Sequence, residues 1–528
     1  MTYSSKEAIE ALWLSLGLPN HGLSYLSLIG NPDLAINSSF RLGVAAQTSV
    51  ALSGLSAAHL FALRTGLEQD VIVDARHSVL AFHSQAWYTI EGQTPPQDFW
   101  DPIAGLYKTQ DNNYIRIHTN FPHHRQGILS ILDLEDTPSL SKQEVAQAIL
   151  QWKATDLEAE AASRGMCAIA LRSFDEWDRH PHAQALRETP PVMICKIGEA
   201  PKRVDRKTPT RPLEGIRVLD LTRVLAGPIA GRTLAAHGAD TLLITSSNLP
   251  SLPTIDVETS LGKRTTQLDL TNPANRAILY ELVGDADVFL QAYRPGGLEE
   301  KGFGVAKLAA LHPGIVCANL TAWGCDGPWK DRRGFDSLVQ TATGFSYEEG
   351  MAYQEYLSSK MKSERENCED DALGGETPSF APKPFPMQAI DHAAGYFLAF
   401  GIHAALARTI TEGGSWEVRV SLAGVGQWIR SLGRVLPEEG FGRGKKFPSR
   451  GDLEIERMCV TWSAVKDEKN DDDNGSDGYG AGSDGVRRIQ AIRHPAVMSM
   501  TPVREGSEGL AALRLDGHEA TWLDWAQR

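Results

Sequence analysis

An α/β fold is predicted by three features of the chain. Residues 216–244 run as apolar strand, turn, apolar helix and second strand; further apolar strands precede Leu270 and span Gly314 to Thr321; and the first 200 residues echo part of this succession. The first two features predict a Rossmann-like parallel-sheet domain, because strands separated by helices pair in parallel. The third predicts a smaller α+β domain and a partial, degenerate internal duplication.

In the first half, Leu52 to Arg64 reads as helix, Gly66 as a turn and Val71-Ile72-Val73-Asp74 as a strand, and the same order recurs at Leu398 to Arg408, Gly413-Gly414 and Val418 to Ser421. Setting Arg64 on Arg408 places Gln47 where Asp391 stands, so the first copy lacks that carboxylate. Gly105 to His118 reads as a hairpin around Asp111-Asn112-Asn113. Two helices follow it, with apolar spacing at Val145, Ile149 and Trp152, then at Leu157 and Ala161. Beyond Ser421 the second copy is expected to lack a comparable hairpin and helix pair.

In the second half, the strand Ile216 to Leu221 leads through Thr222-Arg223-Val224-Leu225-Ala226-Gly227-Pro228 into a helix carrying Ile229, Leu234 and Ala235, then into the strand Thr241 to Ile244. This turn is not Gly-x-Gly-x-x-Gly, so the pyrophosphate of a dinucleotide could not lie flat on it, and neither nicotinamide nor flavin is expected. A helix N-terminus there still offers N–H groups to an anion.

Composition narrows the function classes. With 528 residues, 42% of them hydrophobic, the chain should fold as two or three domains. A formal charge of −14 without a basic stripe argues against a nucleic-acid partner. No run of 18 apolar residues, no basic-apolar leader after Met1 and no peroxisomal address at Arg528 are seen, so a cytoplasmic location and no membrane partner are expected. The cysteines (Cys167, Cys195, Cys317, Cys325, Cys368, Cys459) lack Cys-x-x-Cys spacing, and the pairs His123-His124 and His180-Pro181-His182 lack companion ligands, so no metal is expected. Lys466 to Gly485 reads as a disordered acidic loop, and Ser358 to Lys383 as an acidic insertion that is either a plain surface loop or a lid upstream of Asp391.

Six landmarks follow one another in fixed order. They are the Leu221-to-Pro228 turn; Leu261-Gly262-Lys263-Arg264 before a strand ending Leu268-Asp269-Leu270; Asp287 to Leu298 with Tyr293-Arg294-Pro295-Gly296-Gly297; Gly324-Cys325-Asp326-Gly327-Pro328; Gly334-Phe335-Asp336-Ser337-Leu338-Val339-Gln340; and Ala389-Ile390-Asp391-His392-Ala393-Ala394-Gly395. In this order they resemble the family III CoA-transferases, the CaiB/BaiF group that also contains the α-methylacyl-CoA racemases.

The resemblance implies a layout and a chemistry. The layout is a degenerate first copy over 1–205, a CoA-binding α/β domain over 206–350, an acidic insertion over 351–386, a catalytic helix and sheet continuation over 387–465, a disordered loop over 466–486 and a C-terminal segment over 487–528. Asp391 matches the family's nucleophilic aspartate, which would carry CoA from an acyl-CoA thioester to a small carboxylic acid; its alternative is to cap the helix it opens. A helix N-terminus there would leave backbone N–H groups for a developing oxyanion and keep the carboxylate ionised. Arg223, Val224, Leu225, Ala226, Lys263, Arg264 and Arg333 match segments lining the family's CoA cleft; as lone cations the basic ones read equally as surface residues.

No permanently bound cofactor is implied, only the CoA thioester as substrate. Phe335 stands where the family's racemases carry a histidine, which favours transfer over racemisation, and His392, about 100° away from Asp391 on the helix, reads as structural or as an auxiliary. Thr245-Ser246-Ser247 stands where members usually show a Glu followed by a basic or Pro residue, and Glu300, beside Lys301, stands at a commonly basic position, so a non-catalytic CoA-binding member is a third reading. Gly440-Phe441-Gly442-Arg443-Gly444 is the nearest match to the family's glycine-rich active-site loop. Family members resemble interlocked homodimers with active sites between domains of different subunits, so residues 1–205 read either as a fused half replacing a partner's surface or as a decayed duplication kept only for folding, and a homodimer is one assembly the resemblance allows.

Overall fold

The computed structural model describes residues 4–96, 100–205, 207–366, 379–465, 486–511 and 514–523. Its centre is a seven-stranded sheet ordered Arg264–Gln267, Asp240–Thr245, Arg217–Leu221, Val288–Gln291, Val316–Thr321, Ser415–Ser421 and Met193–Gly198. The first six pair in parallel and Met193–Gly198 is an antiparallel edge. Strands such as Arg217–Leu221 and Val288–Gln291 are buried on both faces, as their near-continuous apolar sequence requires under covering helices. Met193–Gly198 escaped the sequence reading because Lys196 and Gly198 interrupt its apolar character.

The chain runs outward from Arg217–Leu221 to Asp240–Thr245 and Arg264–Gln267, then crosses back to Val288–Gln291 and proceeds the other way. The strand order therefore reverses between Arg217–Leu221 and Val288–Gln291, and the crevice outside the carboxyl ends of such neighbours is where open α/β sheets take ligands.

Two long helices form the spine, Leu42–Thr65 from the first half and Ala389–Thr411 from the second, packed side by side and buried along most of their length. Both are apolar all round, as a helix enclosed on every side must be. Ala389–Thr411 is long and apolar enough to cross a membrane, but 89% of its most apolar window is enclosed by protein. Ser56 meets His403 Nδ1 at 3.0 Å across the pair. Gly395 lets Ala389–Thr411 approach Ala226–Ala236, because a Cβ there would lie 2.6 Å from the Ala226 carbonyl oxygen.

The two spine helices sit in matching surroundings. Leu26–Ile29 precedes Leu42–Thr65, and the parallel strand Val71–Asp74 follows it and leads into a helix capped by Asp74. Val316–Thr321 precedes Ala389–Thr411, and the parallel strand Ser415–Ser421 follows it and leads into a helix capped by Ser421. The Gln47 amide donates to the carbonyls of Ile29 and Val73 at 3.0 and 3.1 Å.

The expected hairpin is present as Gly105–Lys108 and Tyr114–Ile117, extended by Ala168–Ala170 and packed with three helices around its own core of Ile115, Ile117, Val145, Ile149 and Leu157. The expectation that the second copy lacks a hairpin is corrected: Cys459–Val465 pairs antiparallel with Val486–Ile492. The signal was hidden because the acidic stretch separates the two strands. Residues 466–485 of the expected disordered loop lie outside the described residues, whereas its last residue, Val486, opens a strand. The expected loop from Ser358 likewise begins as helix, since Phe345–Glu366 is continuous; residues 367–378 lie outside the described set.

Later segments return to the first half. Ala496–Met498 pairs with Val71–Asp74, and Val486–Ile492 pairs with Thr89–Ile90. The two halves are therefore interlocked by strand pairing as well as by the helix spine.

Candidate functional site

The site is built at the sheet's switch point. The turn after Arg217–Leu221 holds Val224 at φ +73°, a left-handed conformation that a β-branched residue adopts only under constraint, and such strain concentrates where a backbone is shaped for a ligand. Arg223, Val224, Leu225 and Ala226 from this turn line a cleft of about 320 Å³ together with Tyr293, Arg294, Arg333 and Phe335. Phe121 and His123 of the first half form its other wall. The Arg223 guanidinium lies 5.3 Å from the Phe121 ring, and Arg333 Nη1 donates to His124 Nε2 at 2.6 Å.

A second cavity of about 260 Å³ adjoins the first, and the two share Val224, Leu225, Phe335 and Asp391. Its walls come from both halves: Gln85, Trp100, Arg116, His118 and Asn120 from the first, Asp336, Met387 and Gln388 from the second. His118 lies flat on Phe335, ring centroids 3.8 Å apart and planes 2° from parallel. Burial, with Arg116 and His124 nearby, lowers the His118 imidazole to about 3, so it is neutral at ordinary pH.

Asp391 is the third residue of Ala389–Thr411 and is 8% exposed. The capping expectation is corrected, since the cap position is Gln388 and the Asp391 side chain makes no cap bond. The N-terminal N–H groups go to another carboxylate: Asp391 N–H donates to Asp336 Oδ2 at 2.9 Å, Ile390 N–H donates to the same side chain, and the Gln340 amide also donates to Asp336. The expectation of free N–H groups at this terminus falls with it.

The electrostatics follow from this arrangement. Burial, reinforced by the facing Asp336, raises Asp391 well above the ordinary carboxylate range. Asp336 is raised to about 6 by burial, against the hydrogen bonds and the Arg116 charge that favour its ionised form. His392 lines neither cavity; it is stacked on Phe82 at 5.4 Å with Nε2 3.3 Å from Gln85 Oε1, and burial holds it well below 6.5.

The predicted CoA-contacting residues divide. Arg223, Val224, Leu225, Ala226 and Arg333 line the cleft with Asp391. Lys263 and Arg264 do not, and both are corrected. Lys263 Nζ is fully enclosed, donating to Asp220 Oδ2 at 2.7 Å and to the Pro228 carbonyl at 2.9 Å. Arg264 is held by Asp240 at 3.0 Å and by the Thr521 carbonyl at 2.7 Å. The candidate glycine-rich loop also fails: Glu438–Arg443 is a helical turn against Ser38 and Tyr356, away from both cavities. Among the described residues no cluster of three His, Cys, Asp or Glu side chains is arranged to hold a metal. Sequence reasoning missed Arg116 and His118, which the first half contributes, and gave no role to Asp336.

A cleft at the switch point of a parallel sheet, with the buried carboxyl of Asp391 in its lining, defines an α/β protein with a candidate ligand site at that point. The resemblance is borne out over part of the chain: residues 213–452 match the model of CoA-transferase family III. The chain is 28% identical over 337 residues to an acyl-CoA transferase of Gibberella moniliformis, covering 58% of this chain and 59% of that one. It is 31% identical over 227 residues to the probable fatty acyl-CoA transferase Rv3272 of Mycobacterium tuberculosis, covering 40% and 51%. A crystal structure of Rv3272 overlaps 42% of this chain and 58% of its own at 31% identity, with a TM-score of 0.34. The chain thus spans between half and three fifths of these curated relatives.

Proposed function

We propose that the chain is a CoA-transferase that moves CoA from an acyl-CoA thioester to a carboxylic acid through Asp391. The observation that carries the reading is the position of Asp391 at the junction of the two cavities, one lined by the segments of the CoA-transferase match and the other large enough for a small acid. In this reading the CoA arm lies along Val224 to Ala226, and Arg223 and Arg333 face its phosphates.

The steps balance on one side chain. The Asp391 carboxylate attacks the thioester carbonyl, forming a mixed anhydride and releasing CoA thiolate. The thiolate attacks the Asp391 carbonyl carbon, giving an aspartyl-CoA thioester and the donor's carboxylate. An incoming carboxylate then displaces CoA thiolate to form a second anhydride, and the thiolate attacks the incoming acyl carbon, restoring free Asp391. The relatives' printed activities include a succinate–glutarate CoA-transferase in Agrobacterium fabrum, 35% identical over 152 residues, which supports carboxylic acids as acceptors.

The first half acts in this reading as a built-in partner subunit, its own carboxylate position taken by Gln47, so that one chain carries one complete site. Intact-protein mass spectrometry after incubation with a panel of acyl-CoAs, followed by hydroxylamine trapping and peptide mapping, tests the proposal. A CoA or acyl adduct on the Asp391 peptide, absent in Asp391→Asn, is the expected outcome. CoA binding without any adduct would overturn transfer and favour a non-catalytic CoA-binding protein.

One observation favours a second reading. His118 stacks on Phe335, the position where the family's racemases carry histidine, so an imidazole does reach the cavity that holds Asp391. As an acid/base pair, His118 and Asp391 would move the α-proton of an acyl-CoA. Deuterium uptake at the α-carbon from D₂O separates the two readings, because transfer leaves that bond untouched.

A further inference from the structure

Arg116 sits in the second cavity with its charge uncommitted. Strand alternation explains its direction: Ile115 and Ile117 fill the small domain's core, so Arg116 and His118 turn to the opposite face and line the cavity. Arg116 is 9% exposed, its Nε is buried without a hydrogen-bond partner, and among the described residues it forms no ion pair and no side-chain hydrogen bond. Its guanidinium lies 5.7 Å from the Trp100 ring centroid.

The negative group that attracts it does not satisfy it. Asp336 attracts Arg116, but its oxygens already accept from Asp391 N–H, Ile390 N–H and the Gln340 amide. Burial without a bonded counter-ion draws Arg116 down to about 10. A guanidinium is a planar fork of donors that matches a carboxylate in two-point contact, and a buried one left without an acceptor is poorly accounted for by packing alone. Gln85, Asn120 and Gln388 add polar groups around the same space.

We infer that Arg116 receives a carboxylate of the substrate acid, so that the site takes acids carrying a second anionic group beside the carboxyl exchanged on Asp391: short dicarboxylic acids and their mono-CoA thioesters. The inference rests on the transferase reading for the exchange at Asp391, but the recognition it assigns to Arg116 is measurable without turnover. Arg116 acts here as a specificity-determining residue contributed by the half of the chain that lies outside the family match.

The test is calorimetric titration of the protein with matched pairs, succinate against butyrate and glutarate against valerate, in the wild type, Arg116→Gln and Arg116→Lys. The wild type should bind at least one dicarboxylate tenfold or more tightly than its monocarboxylate. Arg116→Gln should reduce that preference to within threefold, and Arg116→Lys should keep part of it. Equal binding of the two acids by the wild type, sulfate competing as well as the dicarboxylate, or an undiminished preference in Arg116→Gln would each overturn the inference. If Arg116→Gln does not fold, the wild-type ratio and Arg116→Lys decide it. Persistence of the preference together with absence of any Asp391 adduct would uphold Arg116 recognition and remove the transferase reading, so the two failures are distinguishable.

Discussion

Asp336 and Asp391 pose the central question at the scale of single residues, because two carboxyls share one buried site and both are held toward their neutral forms. A nucleophilic carboxylate must be ionised, so the rate of adduct formation is expected to rise with pH as Asp391 loses its proton. Asp336 opposes that ionisation by charge, yet its oxygens anchor the helix start that positions Asp391. Asp336→Asn keeps an oxygen to accept the N–H groups and removes the negative charge. Without the like charge the Asp391 carboxyl falls toward its ordinary range, and the acid limb of the rate–pH profile should move down by about one pH unit or more. The measurement is adduct formation from a fixed acyl-CoA between pH 5 and 9; an unmoved limb would show that Asp336 acts on position alone. Lys263 shows the opposite use of a buried charge. Its pairing with Asp220 fits because Gly231 leaves room where a Cβ would lie 2.0 Å from Asp220 Oδ2, so this pair is enclosed within the fold and lines neither cavity.

The spine helix Ala389–Thr411 does two jobs at the scale of elements, carrying Asp391 at one end and packing on Ala226–Ala236, whose own N-terminus is the Val224 turn. The contact is closest at Gly395, where a Cβ would stand 2.6 Å from the Ala226 carbonyl and 2.8 Å from Ile229 Cβ. Both obstacles are rigid, so Gly395→Ala must push the helices apart. A loss of about 1–3 kcal/mol is expected in denaturant unfolding, together with weaker CoA binding, since the displaced element is the one that shapes the cleft. Stability lost with CoA affinity intact would show that the cleft does not depend on this packing. What the sequence revealed follows the same lines. Ala389–Thr411, the hairpin at 105–118 and the turn at 222–228 were legible because each carries a local pattern of period or turn chemistry. The hairpin of Cys459–Val465 and Val486–Ile492 was not, because its strands are far apart in the chain. Lys263 and Arg264 were misplaced because a cation's pattern is the same whether it faces a cleft or lies under an aspartate. Arg116 and His118 carry no motif; only the fold of the first half brings them to Asp391.

On the scale of the whole molecule, the first half supplies one wall of both cavities, half of the helix spine and the strands on which Val486–Ile492 and Ala496–Met498 pair. Removing residues 1–205 would strip the flank of Ala389–Thr411 covered by Leu42–Thr65, uncovering buried leucine, isoleucine and phenylalanine side chains that each contribute about 1.5–3 kcal/mol when enclosed. That sum exceeds the net stability of an ordinary domain. Residues 206–528 alone should therefore be insoluble or unfolded, whereas the two pieces expressed together as separate chains should assemble into a soluble pair that forms the Asp391 adduct. The intact protein should bind CoA and form one adduct per chain as a single copy in size-exclusion chromatography with light scattering, with no adduct mapping near Gln47. Independent folding and adduct formation by residues 206–528 would show that the first half is dispensable. An intact protein that forms the adduct only as a dimer would show that a second copy, and not the fused half, completes the site.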